Sequence, residues 1–502
     1  MSEAAAIRLL EQLRAQGVVP TGLSADSRTV APGEVFLAFP GQRSDGRRFI
    51  AQAIARGPAA LLWESAGGER PTGCPVPEIG VQGLRELSGY LADVVFGHPG
   101  RHLWLAGVTG TNGKTTVSQW LSRALTDLGL RCGVIGTLGT GFPGALQPGI
   151  NTTPDAIALH RLLADFLKQG AGAAAMEVSS IGLDQGRVNG ARFNVAIHTN
   201  LTRDHLDYHG NMKAYAEAKA KLFDFPELEA SIINVDDDFG IALARRLVAR
   251  GDRVIAYTQL ERNIDAVPGA EVFAAHGVRT TAAGLQFKAS WHGLQASMQP
   301  RMVARFNVSN LLAVLATLVQ RGVSLGEAAT VVARMTPPEG RMQLVGGIGE
   351  PLAIIDYAHT PDALAQVLEA ARGSAQARHG RLICVFGCGG DRDPGKRPMM
   401  GEVARVGADR VLITSDNPRS EDPLAILRDI AAGAGGAADL VVDRSEAIRI
   451  AVLEAGPNDV VVVAGKGHEP YQEVNGERRP YSDIAEVRKA LLGWQQQEEG
   501  RA

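Results

Sequence analysis

One glycine-rich turn constrains this 502-residue chain more than any other feature. It runs from Gly107 to Thr116, between a strand-like stretch, Leu103 to Val108, and a helix-like stretch, Val117 to Leu128. The backbone N–H groups of such a turn and the positive end of the following helix converge on a phosphate group. The order of strand, turn and helix therefore predicts a phosphate-binding loop within an α/β sheet.

The side chains inside the turn indicate that the phosphate belongs to ATP. Lys114 supplies a positive charge, and the hydroxyl of Thr115 can bind Mg²⁺. The strict phosphate-loop pattern is not met, because Val108 stands where its first glycine belongs and Gly107 comes one position earlier. We expect a variant loop whose cofactors are ATP and Mg²⁺. The residues expected to hold the phosphates are Gly110, Thr111, Asn112, Gly113, Lys114, Thr115 and Thr116.

Composition limits the class of protein. With 45% hydrophobic residues, a chain of this length has enough apolar material for about three domains of ordinary size. The 51 Lys and Arg residues against 54 Asp and Glu leave a net charge of −3, so no overall basic excess points to nucleic acid or an anionic membrane. The few cysteines lack redox or zinc-knuckle spacing, and no apolar run is long enough to span a bilayer. We expect a monomeric cytoplasmic protein.

The order of apolar runs predicts three domains. Residues 1–99 hold short elements of a small α+β unit, and residues 100–336 alternate strands such as Ala173 to Val178 with helices, as in a parallel sheet. Pro337 and Pro338 then interrupt a helical pattern, which predicts a hinge and a third domain over 337–502. This third domain is predicted to be a doubly wound, Rossmann-like sheet. Its five predicted strands are Leu352 to Tyr357, Arg381 to Phe386, Arg410 to Thr414, Leu440 to Asp443 and Val460 to Ala464.

Three groups in the middle third could bind a metal ion. Glu177 ends an apolar run, where a carboxylate suits Mg²⁺. A second predicted strand, Asn194 to Thr199, is followed by a polar loop in which spacing alone does not choose between His205 and His209 as a ligand. The helix predicted from Met212 to Phe223 carries lysines, and a lysine near Mg²⁺ could lose its proton and form a carbamate with CO₂.

Polar loops also follow four of the strands predicted in the last third. Each alone resembles an ordinary capped turn, but together they fall at one edge of the sheet, where ligands of doubly wound folds bind. The loops begin at Asp356, Gly387, Ser415 and Gly465.

Taken in order, the motifs of the whole chain resemble those of the Mur ligases. The segments that carry the resemblance are 110–116, 151–154, 176–180, 204–210, 218–219, 305–310, 340–342, 356–361, 416–419 and 465–469, with Asp26-Ser27-Arg28 as a weaker match to the uridine-nucleotide domain of the family. The resemblance implies an N-terminal uridine-nucleotide-binding domain, a central ATPase-like domain and a C-terminal domain that binds an amino acid.

The resemblance also implies a reaction. ATP phosphorylates the free carboxylate of a D-glutamyl residue, and the amine of an incoming amino acid attacks the resulting acyl phosphate to form an amide. The best match is to the branch of the family that adds meso-2,6-diaminopimelate to UDP-N-acetylmuramoyl-L-alanyl-D-glutamate in peptidoglycan synthesis. These two molecules are the expected partners.

Residue roles follow from the same resemblance. Lys219, rather than Lys221, matches the carbamylated lysine that holds a metal ion, beside Thr115, Glu177 and His205. The expected catalytic residues are Lys114, Glu177, His205 and Lys219. The expected nucleotide contacts are Asn307, Asn310 and Asp356. The expected substrate contacts are Ser27, Asn151, Thr152, Thr153, Ser179, Gln185, Arg187, Arg341, Asp416, Asn417, Arg419, Gly465 and Glu469.

The charge of the amino-acid substrate distinguishes diaminopimelate from lysine. Diaminopimelate carries a second carboxylate that lysine lacks, and the guanidinium of Arg419 can bind a carboxylate through two hydrogen bonds. Two alternatives stay open. One is a lysine-adding or folylpolyglutamate-type ligase, and the other is an ATP-driven switch that forms no amide.

Overall fold

The structure is a computed structural model that describes residues 2–41, 44–149, 151–281, 284–436 and 438–500. The α-helices of the described residues are α1 (Glu3–Ala15), α2 (Ile50–Ile54), α3 (Leu84–Val95), α4 (Lys114–Asp127), α5 (Ala156–Lys168), α6 (Ser180–Asp184), α7 (Leu206–His209), α8 (Met212–Ala220), α9 (Asp238–Arg250), α10 (Phe306–Gln320), α11 (Leu325–Val332), α12 (Pro361–Arg378), α13 (Lys396–Gly407), α14 (Pro423–Ala434), α15 (Arg444–Leu453) and α16 (Asp483–Glu499). Short 3₁₀ helices cover Gly46–Phe49, Pro99–Arg101, Lys221–Asp224 and Glu261–Asn263.

The strands alternate with these helices along most of the chain. They are β1 (Gly22–Ser24), β2 (Glu34–Ala38), β3 (Ala60–Glu64), β4 (Glu78–Val81), β5 (Trp104–Thr109), β6 (Cys132–Gly136), β7 (Gly139–Phe142), β8 (Ala145–Gln147), β9 (Ala173–Glu177), β10 (Val195–His198), β11 (Ala230–Asn234), β12 (Val254–Thr258), β13 (Glu271–Thr281), β14 (Gly284–Trp291), β15 (Leu294–Met298), β16 (Gln343–Gly346), β17 (Leu352–Asp356), β18 (Leu382–Phe386), β19 (Arg410–Ile413), β20 (Ala438–Leu440), β21 (Val460–Ala464), β22 (Tyr471–Val474) and β23 (Glu477–Pro480).

The chain divides into two compact units. The first comprises Met1–Phe273 with Ala313–Ser324, and the second comprises Ala274–Leu312 with Leu325–Ala502. Among the described residues, no helix combines the length and the apolar character that crossing a membrane requires.

The N-terminal part of the first unit is built on a four-stranded sheet. Its strand order is β1-β2-β3-β4, and every neighbouring pair is parallel. The first helix is amphipathic, because Leu9, Leu10 and Leu13 are buried in the same core as strands β2 and β3. The resulting core contains side chains from α1, α3 and the inner face of the sheet.

A larger parallel sheet follows in the first unit and positions the predicted phosphate loop. Strand β5 lies between β10 and β9, and all three run parallel, with β11 and β12 beyond β10 and β6 beyond β9. Since parallel strands end at the same edge, the loops that follow β5, β9 and β10 lie side by side. The strands are fully buried, which explains why their sequences are unbroken apolar runs.

The second unit contains the doubly wound sheet that its sequence predicts. The strand order is β16-β17-β21-β18-β19-β20, with β16 antiparallel and the other pairs parallel. Helices α12, α13 and α14 pack in the core on one face, and α15 and α16 pack in the core on the other. Helices on both faces of a parallel sheet define this fold class.

Several predicted elements differ from the structure in their bounds, and α4 begins at Lys114, three residues before the predicted start. The strand predicted over Leu440 to Asp443 is β20, which ends at Leu440, because Asp443 instead caps α15 by accepting a hydrogen bond from the Glu446 N–H at 3.0 Å. The helix predicted to reach Phe223 ends as an α-helix at Ala220 and continues as a 3₁₀ turn.

Candidate active site

The predicted phosphate loop joins the end of β5 to the start of α4. Gly110 has a φ of +147°, and a β-carbon at this position would lie 1.9 Å from the hydroxyl oxygen of Thr199. Gly113 has a φ of +86° and caps the helix, which begins at Lys114. Both positions therefore require glycine, one because of crowding and both because of backbone conformation. The first N–H groups of α4 have no partner within the helix, as in other phosphate-binding loops.

The loop after β10 holds the phosphate loop in place. Asn200 accepts hydrogen bonds from the N–H of Thr111 at 2.8 Å, through its carbonyl, and from the N–H of Asn112 at 2.9 Å, through its side chain. The hydroxyl of Thr199 donates to the carbonyl of Asn112 at 2.5 Å. The polar residues after this strand thus fix the shape of the neighbouring loop.

Two lysine side chains meet at the beginning of the phosphate loop. The Lys114 amine donates to the carbonyls of Gly110 at 2.9 Å and Thr111 at 2.8 Å. The Lys219 amine donates to the same Gly110 carbonyl at 2.7 Å. Two amines that share one acceptor place donors and positive charge beside the loop, which suits an anionic ligand.

Lys219 differs from its neighbour Lys221 in burial and in charge partners. Lys219 is 1% exposed and lies 4.4 Å from the ring centre of Tyr215. Burial, and then the charge of Lys114, lower the pKa of Lys219 well below the ordinary lysine value. Lys221 is half exposed and forms an ion pair with Asp184 at 2.8 Å. Burial therefore favours the neutral form of the Lys219 amine.

Glu177, the last residue of β9, meets Thr115, which lies in the first turn of α4. The Thr115 hydroxyl donates to the Glu177 carboxylate at 2.9 Å, and Glu177 is 1% exposed. Thr137, after β6, donates to the same carboxylate through its N–H at 2.7 Å and its hydroxyl at 3.2 Å. A buried carboxylate beside a hydroxyl is a set of oxygen donors that fits Mg²⁺.

The two candidate histidines contact residues other than Glu177. His205 adopts a φ of +51°, its side chain is 44% exposed, and its Nε2 lies 3.4 Å from the carboxylate of Asp204. His209 forms a hydrogen bond with the Ser180 hydroxyl at 3.0 Å, and burial lowers its pKa. Within the described ranges, the three-residue group of potential metal ligands that the structure gathers is Glu3, Asp93 and His98, which includes neither histidine.

Several predicted substrate contacts form one network beside Glu177. The Thr153 hydroxyl donates to the Glu177 carbonyl at 2.9 Å, and the Thr152 hydroxyl lies 3.0 Å from that of Thr137. Ser179 donates to the Thr153 hydroxyl through its N–H at 3.0 Å. The structure therefore brings these side chains to the edge of the sheet that carries the phosphate loop.

Of the remaining predicted contacts of the first unit, two join this network and two lie elsewhere. Arg187 donates to the Thr153 carbonyl at 2.9 Å and to the Gln185 side chain at 2.8 Å, which joins both residues to that network. Asn151 is exposed in a bend. Ser27 is buried in the N-terminal part and donates to the Gln52 side chain at 2.8 Å.

In the second unit, the loops after β19 and β21 are joined by side chains. The Lys466 amine donates to the Asn417 side chain at 2.9 Å and to the Glu469 carboxylate at 3.0 Å. Asn417 donates to the same carboxylate at 2.8 Å. These contacts bring together two loops that the sequence places about fifty residues apart at the same edge of the sheet.

The conformation of these loops depends on two unusual backbone positions. Gly465 has a φ of +117°, and a β-carbon there would lie 2.5 Å from the Asp416 carboxylate. Arg419 adopts a φ of +52°, which is rare for a side chain of this size. Its guanidinium donates to the Gly390 carbonyl at 2.7 Å, so Arg419 also meets the loop after β18.

The predicted nucleotide contacts of the second unit are buried. Asp356 accepts hydrogen bonds from the N–H groups of Met342 and Ala358, both at 2.8 Å, and burial raises the pKa of its carboxyl group. Asn310 donates to the Asn307 side chain at 3.1 Å. Arg341, a predicted substrate contact, is half-buried and lies over the ring of Tyr357, 5.1 Å from its centre.

Several residues in these networks cannot be identified from the sequence alone. Thr137 and Tyr215 belong to no motif that would have revealed them, because their contacts come from strand β6 and helix α8 folding onto the loop edge. Lys466 lies inside a recognised motif, but its burial could not be deduced from the sequence.

Comparison with known proteins identifies relatives over nearly the entire chain. Residues 20–94 match the profile of the Mur ligase family, catalytic domain, residues 108–318 that of the Mur ligase middle domain, and residues 340–467 that of the Mur ligase, glutamate ligase domain. The UDP-N-acetylmuramoyl-L-alanyl-D-glutamate--2,6-diaminopimelate ligase of Chromobacterium violaceum is 50% identical over 488 residues, which cover 97% of this chain and 96% of that protein.

Two solved structures also match nearly the entire chain. A structure of a UDP-N-acetylmuramoyl-L-alanyl-D-glutamate--2,6-diaminopimelate ligase is 37% identical, covers 95% of both chains and has a TM-score of 0.71. The MurF ligase of Thermotoga maritima, solved in complex with ADP, is 18% identical, covers 96% of this chain and 98% of its own, and has a TM-score of 0.63. This second likeness concerns the fold alone.

Proposed function

The chain belongs to the Mur ligase family, and from this premise we propose that it joins meso-2,6-diaminopimelate to the D-glutamate of UDP-N-acetylmuramoyl-L-alanyl-D-glutamate. ATP is converted to ADP and phosphate in the same reaction, which forms a peptidoglycan precursor. The observation that carries this proposal is 50% identity, over 97% of the chain, to an enzyme named for that activity.

In the proposed reaction, an oxygen of the D-glutamyl carboxylate attacks the γ-phosphorus of ATP, and ADP leaves. The amine of diaminopimelate then attacks the carbonyl carbon of the acyl phosphate, loses a proton, and the amide forms as phosphate departs. The phosphate loop, Gly110 to Thr116, would bind the phosphates, and Lys114 would leave its loop carbonyls to contact them. Asn307, Asn310 and Asp356 would contact the rest of the nucleotide.

The donor set of the first unit supports a magnesium role. Thr115 and Glu177 supply oxygen atoms, and the carbamate of Lys219 would supply two more, with His205 as a further ligand. When bound, Mg²⁺ neutralises negative charge that develops on the phosphoryl group. The low pKa of Lys219 supports carbamate formation, because the neutral amine is the form that attacks CO₂.

The dipeptide and the amino acid would bind at different loop edges. Near Glu177, the network of Thr152, Thr153, Ser179, Gln185 and Arg187 would hold the muramoyl dipeptide, with Asn151 beside it and Ser27 contacting the uridine nucleotide. Arg341, Asp416, Asn417, Arg419, Gly465 and Glu469 would hold diaminopimelate. Arg419 has further N–H groups beyond the one donated to Gly390, which suits a second carboxylate.

We also propose the three-domain division at 1–99, 100–336 and 337–502, with a hinge near Pro337. The separate family matches over 20–94, 108–318 and 340–467 support it. Location in the cytoplasm and a monomeric state remain predictions from the sequence.

A phosphate-release assay with the UDP-muramoyl dipeptide tests the proposal against its alternatives. Meso-diaminopimelate, lysine and D-alanyl-D-alanine are supplied in parallel, and diaminopimelate is expected to stimulate phosphate release. Stimulation by lysine alone would indicate a lysine-adding ligase. Turnover that needs no amino acid would indicate an ATP-driven switch.

A further inference from the structure

Lys466 is a buried cation to which the proposed reaction gives no role. It follows strand β21, lies between Gly465 and Gly467, and its side chain is 0% exposed. A charged amine is costly to bury unless it is paired and hydrogen-bonded. The position of the buried Lys466 amine, among the predicted amino-acid contacts, therefore indicates a specific function.

Three hydrogen bonds join Lys466, Asn417 and Glu469 to one another, and we call this group the triangle. The amine donates to Oδ1 of Asn417 at 2.9 Å and to Oε2 of Glu469 at 3.0 Å. Nδ2 of Asn417 donates to the same Oε2 at 2.8 Å. Each corner of the triangle thus restrains the other two, and the loops after β19 and β21 share one rigid polar centre.

The triangle determines which atoms remain available to a ligand. Oδ1 of Asn417 also accepts from the N–H of Glu473 at 2.9 Å, so this atom is fully used. Oε2 of Glu469 accepts two hydrogen bonds, whereas its Oε1 has no hydrogen bond to the part of the chain that the structure describes. The Glu469 side chain is 21% exposed. Lys466 therefore holds Glu469 with one oxygen occupied and the other open.

Aromatic rings enclose the remaining side of the amine. The ring centres of Tyr471 and Tyr481 lie 5.7 Å and 6.0 Å from Nζ. These distances lie at the outer range of a cation–π interaction, and the Lys466 side chain is 0% exposed. Because the amine is shielded from water, its attraction to the Glu469 carboxylate is screened less than the attraction within a fully exposed pair.

We propose that Lys466 is a positioning residue that sets the orientation of Glu469 and Asn417, and thereby the affinity for the amino-acid substrate. The inference rests on the proposed function, because it takes the loops after β19 and β21 as the amino-acid site. It predicts that removing the amine weakens binding of the amino acid and leaves binding of ATP unchanged.

The test is a double-mutant cycle with Lys466→Met, Glu469→Gln and both changes together, measured with the full-length protein. Lys466→Met is expected to raise KM for diaminopimelate on the order of tenfold to a hundredfold, with KM for ATP within about twofold of wild type. Lys489→Met is the matched control, because Lys489 is exposed on α16, and it should leave both values unchanged.

The cycle separates positioning from a general structural role. If Lys466 positions Glu469 as well as Asn417, adding Lys466→Met to Glu469→Gln raises KM for diaminopimelate by a smaller factor than the same change does in wild type. Equal fold-changes in both backgrounds, or equal changes in the two KM values, would overturn the inference. Lys466→Met leaves the Glu469 carboxylate unpaired and could fail to fold for that reason. The double variant has no such carboxylate, so its KM for diaminopimelate is then compared with that of Glu469→Gln.

Wild-type turnover distinguishes failure of the inference from failure of the proposed function. If diaminopimelate does not stimulate wild-type phosphate release but another amino acid does, the proposed substrate is wrong, and the cycle is run with the active amino acid. If no amino acid stimulates release, neither proposal stands.

Discussion

Two lysines with almost no solvent exposure show how surroundings determine the chemistry of an amine. Lys219 is buried and lies near the charge of Lys114, so its pKa is lowered and its protonated form is disfavoured. Lys466 instead has a carboxylate and an amide oxygen as partners. The first environment favours a reactive amine, and the second favours a fixed cation that holds other groups in place.

The low pKa of Lys219 predicts a pH dependence of stability. The folded-state pKa lies well below the ordinary value of 10.5, so between these two values the unfolded chain binds more protons, and the free energy of unfolding rises with pH. From about pH 7 to about pH 9.5, the thermal midpoint of wild type should therefore rise relative to that of Lys219→Met. Thermal unfolding measured across this range checks the prediction. Lys221→Met serves as the control and should follow wild type.

Arg419 predicts a selective change in kinetics. Lysine at this position keeps the charge but loses the planar pair of donors that a carboxylate can engage. Arg419→Lys should therefore raise KM for diaminopimelate by about tenfold or more, with little change in KM for ATP. Steady-state kinetics with each substrate varied in turn provides the measurement. Equal increases in both values would reject the assignment of Arg419 to the amino-acid site.

At the scale of elements, the active loops are shaped by neighbouring loops as much as by their own sequences. The phosphate loop is held by Asn200 and Thr199 after β10, and the loop after β21 is held by Asn417 after β19. Parallel strands make this possible, because they deliver their loops to the same edge. A change in one loop is therefore expected to affect the next.

Gly110 offers a test of this coupling. A β-carbon at Gly110 would collide with Thr199, whereas one at Gly129, which also has a positive φ of +90°, would meet no atom within 4 Å. Gly110→Ala should weaken ADP or ATP binding by about tenfold or more, since the loop must shift away from β10. Gly129→Ala should show only the backbone strain, about 1–2 kcal/mol, and normal nucleotide affinity. Calorimetric titration with nucleotide distinguishes the two outcomes.

A buried ion pair joins α15 to α16 and supports the loops of the second unit. Arg444 and Asp483 are both fully buried, their side chains lie 2.7 Å apart, and Arg444 also donates to the Ala464 carbonyl at the end of β21. Arg444→Met leaves the Asp483 carboxylate unpaired, which is expected to lower the free energy of unfolding by about 3–5 kcal/mol. Denaturant unfolding gives this value. Arg449→Met removes an exposed pair on the same helix and should have little effect.

At the scale of the whole molecule, the sequence predicts the fold well where burial leaves a strong pattern. Strand β21 has the bounds expected from its four consecutive valines, because a strand covered on both faces requires an unbroken apolar run. Strand β20 was misplaced because Leu440 and Val442 are apolar yet 44% and 39% exposed, so hydrophobicity did not mark burial there.

Site residues were predictable where the topology alone brings them together. Glu177 and Thr115 follow from the rule that parallel strands end at one edge, and they are in contact. Which of Lys219 and Lys221 is buried depends on how α8 packs, and no local pattern reveals it. The contact of Thr137 with Glu177 and the burial of Lys466 likewise depend on tertiary packing.

The central claim is that a carboxylate is activated by phosphorylation and then captured by an amine. Oxygen isotope transfer tests this claim most directly, with substrate whose D-glutamyl carboxylate carries ¹⁸O in both positions. Activation as an acyl phosphate predicts that each phosphate released during diaminopimelate-dependent turnover contains one ¹⁸O atom from that carboxylate. Release of phosphate free of ¹⁸O, at the same rate as amide formation, would contradict it.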